Sequence, residues 1–298
     1  MVDIKLDPSP IHSSPVTPEQ LTEDHVIQFR CHKDVECFNA CCKSIDITLT
    51  PYDILRLKNH LGIGSSEFLL KYTEPFEFAK DGLPGVKFLP EEGTTQCQFM
   101  VEEGCSVYSD RPTACRYYPV GLLSLRRADE FTDSASYVMV REQHCLGHQE
   151  AREITIRDYR KEQEVEEYDE YSRGWRQMVL KMKSAGPSIG TPSMLSRQLF
   201  FMASYDLDRF REFTRSAGFL EAYDLSAEEL EQLYTDDLAL LRFGYRFLLQ
   251  VLFGEQSIPM QAEAYEQRLK RKRQIKESEQ MPSPFMEKEG AFDTPVLD

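Results

Sequence analysis

The sequence predicts an α+β fold: a cysteine-rich N-terminal domain of short helices and strands, followed by a mainly α-helical C-terminal region. Three observations predict it. All eight cysteines fall between Cys31 and Cys145, and none follows. The first half is cut into short pieces by turn residues, with apolar alternation in places. The second half carries apolar residues at helical spacing over long stretches. At 298 residues, with 41% hydrophobic and 29% charged residues, the chain has a globular composition and length for one large domain or two ordinary ones.

Residues 1–24 contain Pro8, Pro10, Pro15 and Pro18 and little apolar period, which predicts a flexible leader. Ile45 and Ile47 alternate with polar residues as in a short strand. Thr50-Pro51-Tyr52-Asp53 supplies an N-cap, a proline at the first helical position and an acid in the first turn, so a helix runs to Leu61 and stops at Gly62. Ser65 to Leu70 reads as a second short helix. Phe76 to Phe88, broken by Asp81-Gly82-Leu83-Pro84-Gly85, reads as a hairpin.

Beyond residue 150 the pattern changes. Thr155 to Ser184 predicts one long helix through Tyr159, Val165, Tyr168, Trp175, Val179 and Met182, with the acidic run Glu164 to Glu170 as a solvated face. Leu207 to Ala217 predicts another. Ser226-Ala227-Glu228-Glu229 is a capping box opening a helix whose Leu230, Leu233, Leu241, Leu248 and Leu252 form a core face. A last helix spans Met260 to Ser278 and carries the basic cluster Arg268, Lys270, Arg271, Lys272, Arg273 and Lys276, read most simply as a solvated helix end. The expected layout is a leader at 1–24, a cysteine-cluster metal-binding domain at 25–150, a helical region at 151–279 and a disordered tail at 280–298.

Charge and hydropathy narrow the partners. With 35 Lys+Arg against 50 Asp+Glu the net charge is −15, which opposes nucleic acid and anionic lipid. The apolar stretch Leu238 to Phe253 is short of a bilayer span and contains Arg242 and Arg246, so no membrane-spanning segment is expected. The first residues lack a basic region leading into an apolar one, so the expected compartment is the cytoplasm.

In a reducing compartment, clustered thiols serve metal binding or redox chemistry more often than disulfides. The spacing is Cys31-x5-Cys37-x3-Cys41-Cys42, then Cys97-x7-Cys105-x9-Cys115, then Cys145. Thiolates suit zinc and iron–sulfur centers, and gathering them from distant segments would make the metal part of the fold. All eight cysteines are therefore candidate metal ligands, with zinc or an iron–sulfur cluster as the cofactor. Cys37 and Cys41 can share a helical face, whereas adjacent Cys41 and Cys42 reach one center only from a distorted turn. Two neighbouring centers, or one ligand beside one spectator, are both open. A structure that places fewer than four of these sulfurs within a few ångströms of a common point would sink the metal reading for that site, since zinc–sulfur bonds are roughly 2.3 Å.

Other sites are disfavoured. Ferredoxin and zinc-ribbon spacings are absent, Ser44 stands where a radical-SAM triplet needs cysteine, and Gly62-Ile63-Gly64 is a helix stop rather than a nucleotide loop. No histidine follows a glutamate by three residues, as a di-iron bundle requires, or precedes one, as a zinc protease requires. His32, His144 and His148 lie near Cys31 and Cys145 but are left outside the site. Arg111 and Arg116 flank Cys115, where their charge would favour ionised sulfurs or simply form structural ion pairs.

The runs CFNACCKSIDITLTPYDILRLKNHLG and CQFMVEEGCSVYSDRPTACRYYP resemble the YkgJ-type cysteine-cluster family, also called the CxxCxxCC family, over about residues 28–148. The resemblance rests on Cys41-Cys42, Leu49-Thr50-Pro51, Cys97 with Cys105, and Arg111-Pro112 leading to Cys115-Arg116 and Tyr118-Pro119. It implies zinc or iron chelation. The chain departs from the family name in its opening gaps of five and three residues, and in Leu146-Gly147 after Cys145. Flagellin lysine N-methylases share this kind of module, so the resemblance also implies iron–sulfur-linked methyl transfer as an alternative, although no catalytic residue carries over. A thiol-based redox sensor is a further alternative. A metal ion or cluster is the expected partner, and a protein partner is left open.

Overall fold

The computed structural model describes residues 16–17, 19–78, 82–124, 135–184, 192–267 and 270. The leader up to residue 15, the basic cluster apart from Lys270, and the tail lie outside the described residues. The α+β reading holds, with short strands and helices in the first half and helices in the second.

The first half opens with β1 (Val26–Gln28) and reaches a short 3-10 turn at Ala40–Cys42, entered through Asn39 at φ 65°. Helix α1 (Pro51–Leu61) begins where expected. Thr50 accepts from the Asp53 N–H, Asp53 accepts from the Thr50 N–H, and Gly62 at φ 65° closes the helix in the left-handed region that glycine enters freely. Helix α2 (Ser65–Tyr72) runs into β2 (Thr73–Glu77), which pairs antiparallel with β3 (Pro84–Phe88) as the predicted hairpin. Ile45 and Ile47 form no strand. Their segment makes a single bridge, Thr48 to Lys87, because the chain turns into α1 after two residues.

The chain continues through β4 (Met100–Val101), β5 (Gly104–Cys105), α3 (Thr113–Tyr117), β6 (Val120–Ser124), β7 (Ala135–Met139) and β8 (Glu153–Thr155). Among the described residues there are four ladders, each of two antiparallel strands: β1 with β8, β2 with β3, β4 with β5, and β6 with β7.

Two expected helices prove to be pairs. The long helix from Thr155 divides into α4 (Ile156–Glu162) and α5 (Val165–Ser184), with Glu164 at φ 53° between them. The break is held from outside: Arg116, fully buried, donates to the Gln163 carbonyl at 2.8 Å, and Arg111 donates to the Gln163 side chain. Nor is the acidic run uniformly solvated. Asp169 is buried, accepts from the Tyr117 hydroxyl and pairs with Arg160 at 2.9 Å. After α6 (Met194–Tyr205), which sequence reading missed, come α7 (Leu207–Thr214) and α8 (Ala217–Ala222), so the predicted Leu207 to Ala217 helix ends early. The capping-box helix stops as α9 (Ala227–Thr235), and Asp236 caps a new start, α10 (Asp237–Phe253), by accepting from the Leu238 and Ala239 N–H groups. Residues 262–267 are helical, within the last predicted helix.

Among the described residues two hydrophobic cores result. The larger joins Leu49, Tyr52, Phe68, Val86, Phe88 and Phe99 to Trp175, Phe200, Tyr205, Phe210, Leu241 and Phe247, so α1, α2 and the β2–β3 hairpin share apolar burial with the C-terminal helices. The smaller joins Leu21, Ile27 and Phe29 to Tyr117, Tyr137, Ile156, Tyr159 and Val165. Leu21 is buried and bridges Tyr137, so the end of the predicted leader docks on β7.

Candidate metal centre

The cysteines lie where these pieces meet, and all eight are free thiols. Cys31 and Cys37 follow β1, Cys41 and Cys42 sit on the 3-10 turn, Cys105 ends β5, Cys115 is on α3, and Cys145 precedes a short 3-10 turn at Leu146–Gln149. Cys37 and Cys41 therefore share no helix. The distorted turn considered from sequence is what the chain adopts, and it brings the Cys41 and Cys42 sulfurs to 3.8 Å.

Backbone bonds hold the segments together. The Cys97 N–H donates to the Cys42 carbonyl at 2.8 Å, and β4 and β5 set Cys105 opposite Met100. The Leu146 N–H donates to Cys37 Sγ at 3.2 Å, and the Arg30 N–H to the Gly147 carbonyl at 3.1 Å. A Cβ at Gly147 would stand 2.6 Å from the Phe29 ring and 2.9 Å from the Arg30 carbonyl, so this approach of the Cys31 and Cys145 segments requires glycine.

Asp53 does more than begin a helix. Its fully buried carboxylate accepts from the Thr50 N–H at 2.8 Å, the Thr113 N–H at 2.8 Å and the Thr113 hydroxyl at 2.7 Å, tying α1 to the start of α3 and so placing Cys115.

A cavity of about 40 Å³ is lined by Cys31, Cys37, Cys41 and Cys145, with Tyr118 and His144 among the other walls. The buried Tyr118 hydroxyl faces Cys145 and Glu142. Neither residue is part of the site expected from sequence, and only their closeness to Cys115 and Cys145 along the chain could have signalled them. His32 instead contacts Glu150 at 3.1 Å, and His148 contacts the Val140 carbonyl at 3.2 Å.

Electrostatics bear the stamp of crowded sulfur. Burial pushes the Cys31 thiol up to about 11, with Cys41, Cys37 and Cys145 adding to the rise and Arg111 opposing it. Burial also raises Cys115, with Cys97, Cys105 and Cys41 contributing, and it raises Cys97, Cys105 and Cys145. In the adjacent pair, a hydrogen bond from Cys42 lowers Cys41 and correspondingly raises Cys42. The two arginines divide their roles: Arg111 favours ionised Cys31 and Cys105, while Arg116 is consumed by the Arg111, Gln163 and Ser109 carbonyls and the Tyr168 hydroxyl.

Soft thiols fit zinc or iron as a donor set. The gathering of four sulfurs about a common point expected of a metal site is not met: among the described residues, no three His, Cys, Asp or Glu side chains converge closely enough to hold one ion. Closure about a metal requires the sulfurs to lose protons and draw inward, which couples loading to pH.

Residues 30–171 match the CxxCxxCC family model, described as a "putative zinc- or iron-chelating domain". This segment is similar to the CxxCxxCC family. The CxxCxxCC domain contains all eight cysteines and extends past α4 into α5. Neither a curated protein nor a solved structure matches the chain significantly. No helix among the described residues is long and apolar enough to cross a membrane.

Proposed function

We propose that this chain binds a thiophilic metal, as zinc or as an iron–sulfur center, through thiolates of its CxxCxxCC domain. The observation that carries the reading is the convergence of free cysteines from separate segments, four of them around one cavity. The candidate ligands are Cys31, Cys37, Cys41, Cys42, Cys97, Cys105, Cys115 and Cys145. A bound metal would supply cross-links between segments that otherwise meet through short ladders and single hydrogen bonds. The chain's own contribution is to gather the sulfurs, with Arg111 offsetting part of their negative charge. A reducing compartment such as the cytoplasm keeps the thiols available.

Anaerobic purification with metal analysis and a visible spectrum tests this, with a Cys41→Ser, Cys42→Ser variant beside the native chain. Bound zinc or iron that falls in the variant supports the reading, and acid-labile sulfide with visible absorption selects the iron–sulfur form. A metal-free native chain overturns it. Methyl transfer to lysine by the loaded protein would place it functionally with the flagellin lysine N-methylases, whereas reversible thiol loss without metal would make it a redox protein.

A further inference from the structure

Resting on the metal-binding reading, we infer that the eight cysteines form two adjacent four-thiolate centers: Cys31, Cys37, Cys41 and Cys145 in one, and Cys42, Cys97, Cys105 and Cys115 in the other. The adjacent pair Cys41-Cys42 supplies one ligand to each.

The cavity gives the first division. Cys31, Cys37, Cys41 and Cys145 line it, while Cys42, Cys97, Cys105 and Cys115 do not. The cores give a second division, drawn from packing alone. Cys145 packs against the smaller core, whereas Cys97 and Cys105 pack against the larger one. The main chain agrees: the Cys145 segment bonds to Cys37 Sγ and to Arg30 beside Cys31, while Cys97 bonds to Cys42.

The sulfur neighbourhoods follow the same line. Cys31 is crowded by Cys41, Cys37 and Cys145, and Cys145 by Cys37 and Cys41. Cys42 is crowded by Cys41, Cys97 and Cys115, and Cys115 by Cys97, Cys105 and Cys41. Cys41 belongs to both neighbourhoods, acting on Cys97, Cys105 and Cys115 as well as on Cys31 and Cys145, and the cavity assigns it. The 3.8 Å between the Cys41 and Cys42 sulfurs also suits two thiolates on one tetrahedral ion, so the partition rests on the other six.

Size sets what the first center takes. A water needs roughly 10–15 Å³ measured by a water-sized probe, so a cavity of about 40 Å³ has room for an ion. The donor set makes the ligand class a thiophilic divalent cation held by four sulfurs, with the Arg111 guanidinium offsetting charge toward both groups through Cys31 and Cys105.

The full-length chain, reduced and metal-free, is reconstituted anaerobically with Zn²⁺ alone and weighed by native mass spectrometry. The native chain is expected to hold two zinc ions. A Cys31→Ser, Cys145→Ser variant and a Cys97→Ser, Cys115→Ser variant should each hold one, with helical circular dichroism unchanged. Where a double variant loses its fold, Cys37→Ser and Cys105→Ser singly provide the same comparison, each expected to weaken one ion and spare the other. One zinc in the native chain, with both variants losing it, overturns the partition but leaves metal binding intact. No zinc in any form overturns both. Iron and sulfide lost together from the Cys31, Cys145 variant of anaerobically purified protein overturn the single-ion assignment.

Discussion

Replacing Asp53 by alanine tests the link between helix α1 and the cysteine on α3. The substitution removes the acceptor of two backbone N–H groups, those of Thr50 and Thr113, and of the Thr113 hydroxyl. The hydroxyl can rotate to another partner; the N–H groups cannot. At about 1–3 kcal/mol for each buried donor left unpaired, the loss is roughly 4 kcal/mol. With about 2 °C per kcal/mol, the low end for chains of 150–250 residues, the melting temperature should fall by roughly 8 °C. Trp175, the chain's one tryptophan and buried in the larger core, reports the transition by its fluorescence. Asp53→Asn is the control: one amide oxygen can still serve Thr113, but an NH₂ then faces the Thr50 N–H, so the loss should be about half. A loss below about 1 kcal/mol in the alanine variant, or equal losses in both, would refute the reasoning.

Gly147→Ala should destabilise the protein by about 1–3 kcal/mol, because the new methyl meets the Phe29 ring and the Arg30 carbonyl; zinc titration should show weaker retention of the ion assigned to Cys31 and Cys145. Arg116→Met leaves the Arg111, Gln163 and Ser109 carbonyls without their donor and should cost about 3–5 kcal/mol in denaturant unfolding. The metal-free chain should lose stability as pH rises from 9 to 11. Cys31 is a thiol whose folded pKa is raised from 9.0 to about 11, so its contribution is complete below 9 and lost through 11. Cys31→Ser should flatten that part of the melting profile, and an unchanged profile would show that the rise is not realised. Zinc uptake should weaken on acidification and release protons in unbuffered titration, since the raised thiols must ionise to bind.

What the sequence made legible was local. Thr50, Pro51 and Asp53 specify the start of α1 and Gly62 its end through neighbouring backbone groups, and the observed helix has those bounds. The breaks at Glu164 and Asp236 were not legible, for different reasons. Apolar spacing continues through both, but the first is held by arginines some fifty residues upstream. The second depends on Asp236 ending α9 in extended backbone while capping α10. The family match bears out the recognition of a metal-chelating cysteine module by residue type and clustering. Which core each cysteine segment docks against was hidden, because it depends on tertiary packing: Cys145 on the smaller, Cys97 and Cys105 on the larger.

The β1–β8 ladder also sets a timetable. Val26–Gln28 pairs with Glu153–Thr155, so the strand that leads into Cys31 has no partner until the chain beyond Cys145 exists. At 5–20 residues per second, the intervening stretch of about 125 residues takes roughly 6–25 s to synthesise. Throughout that interval Cys31, Cys37, Cys41 and Cys42 emerge ahead of the strand that completes their surroundings. The nascent chain therefore offers its thiols to oxidants and stray metal before the ladder can form, so a reducing environment matters most during synthesis.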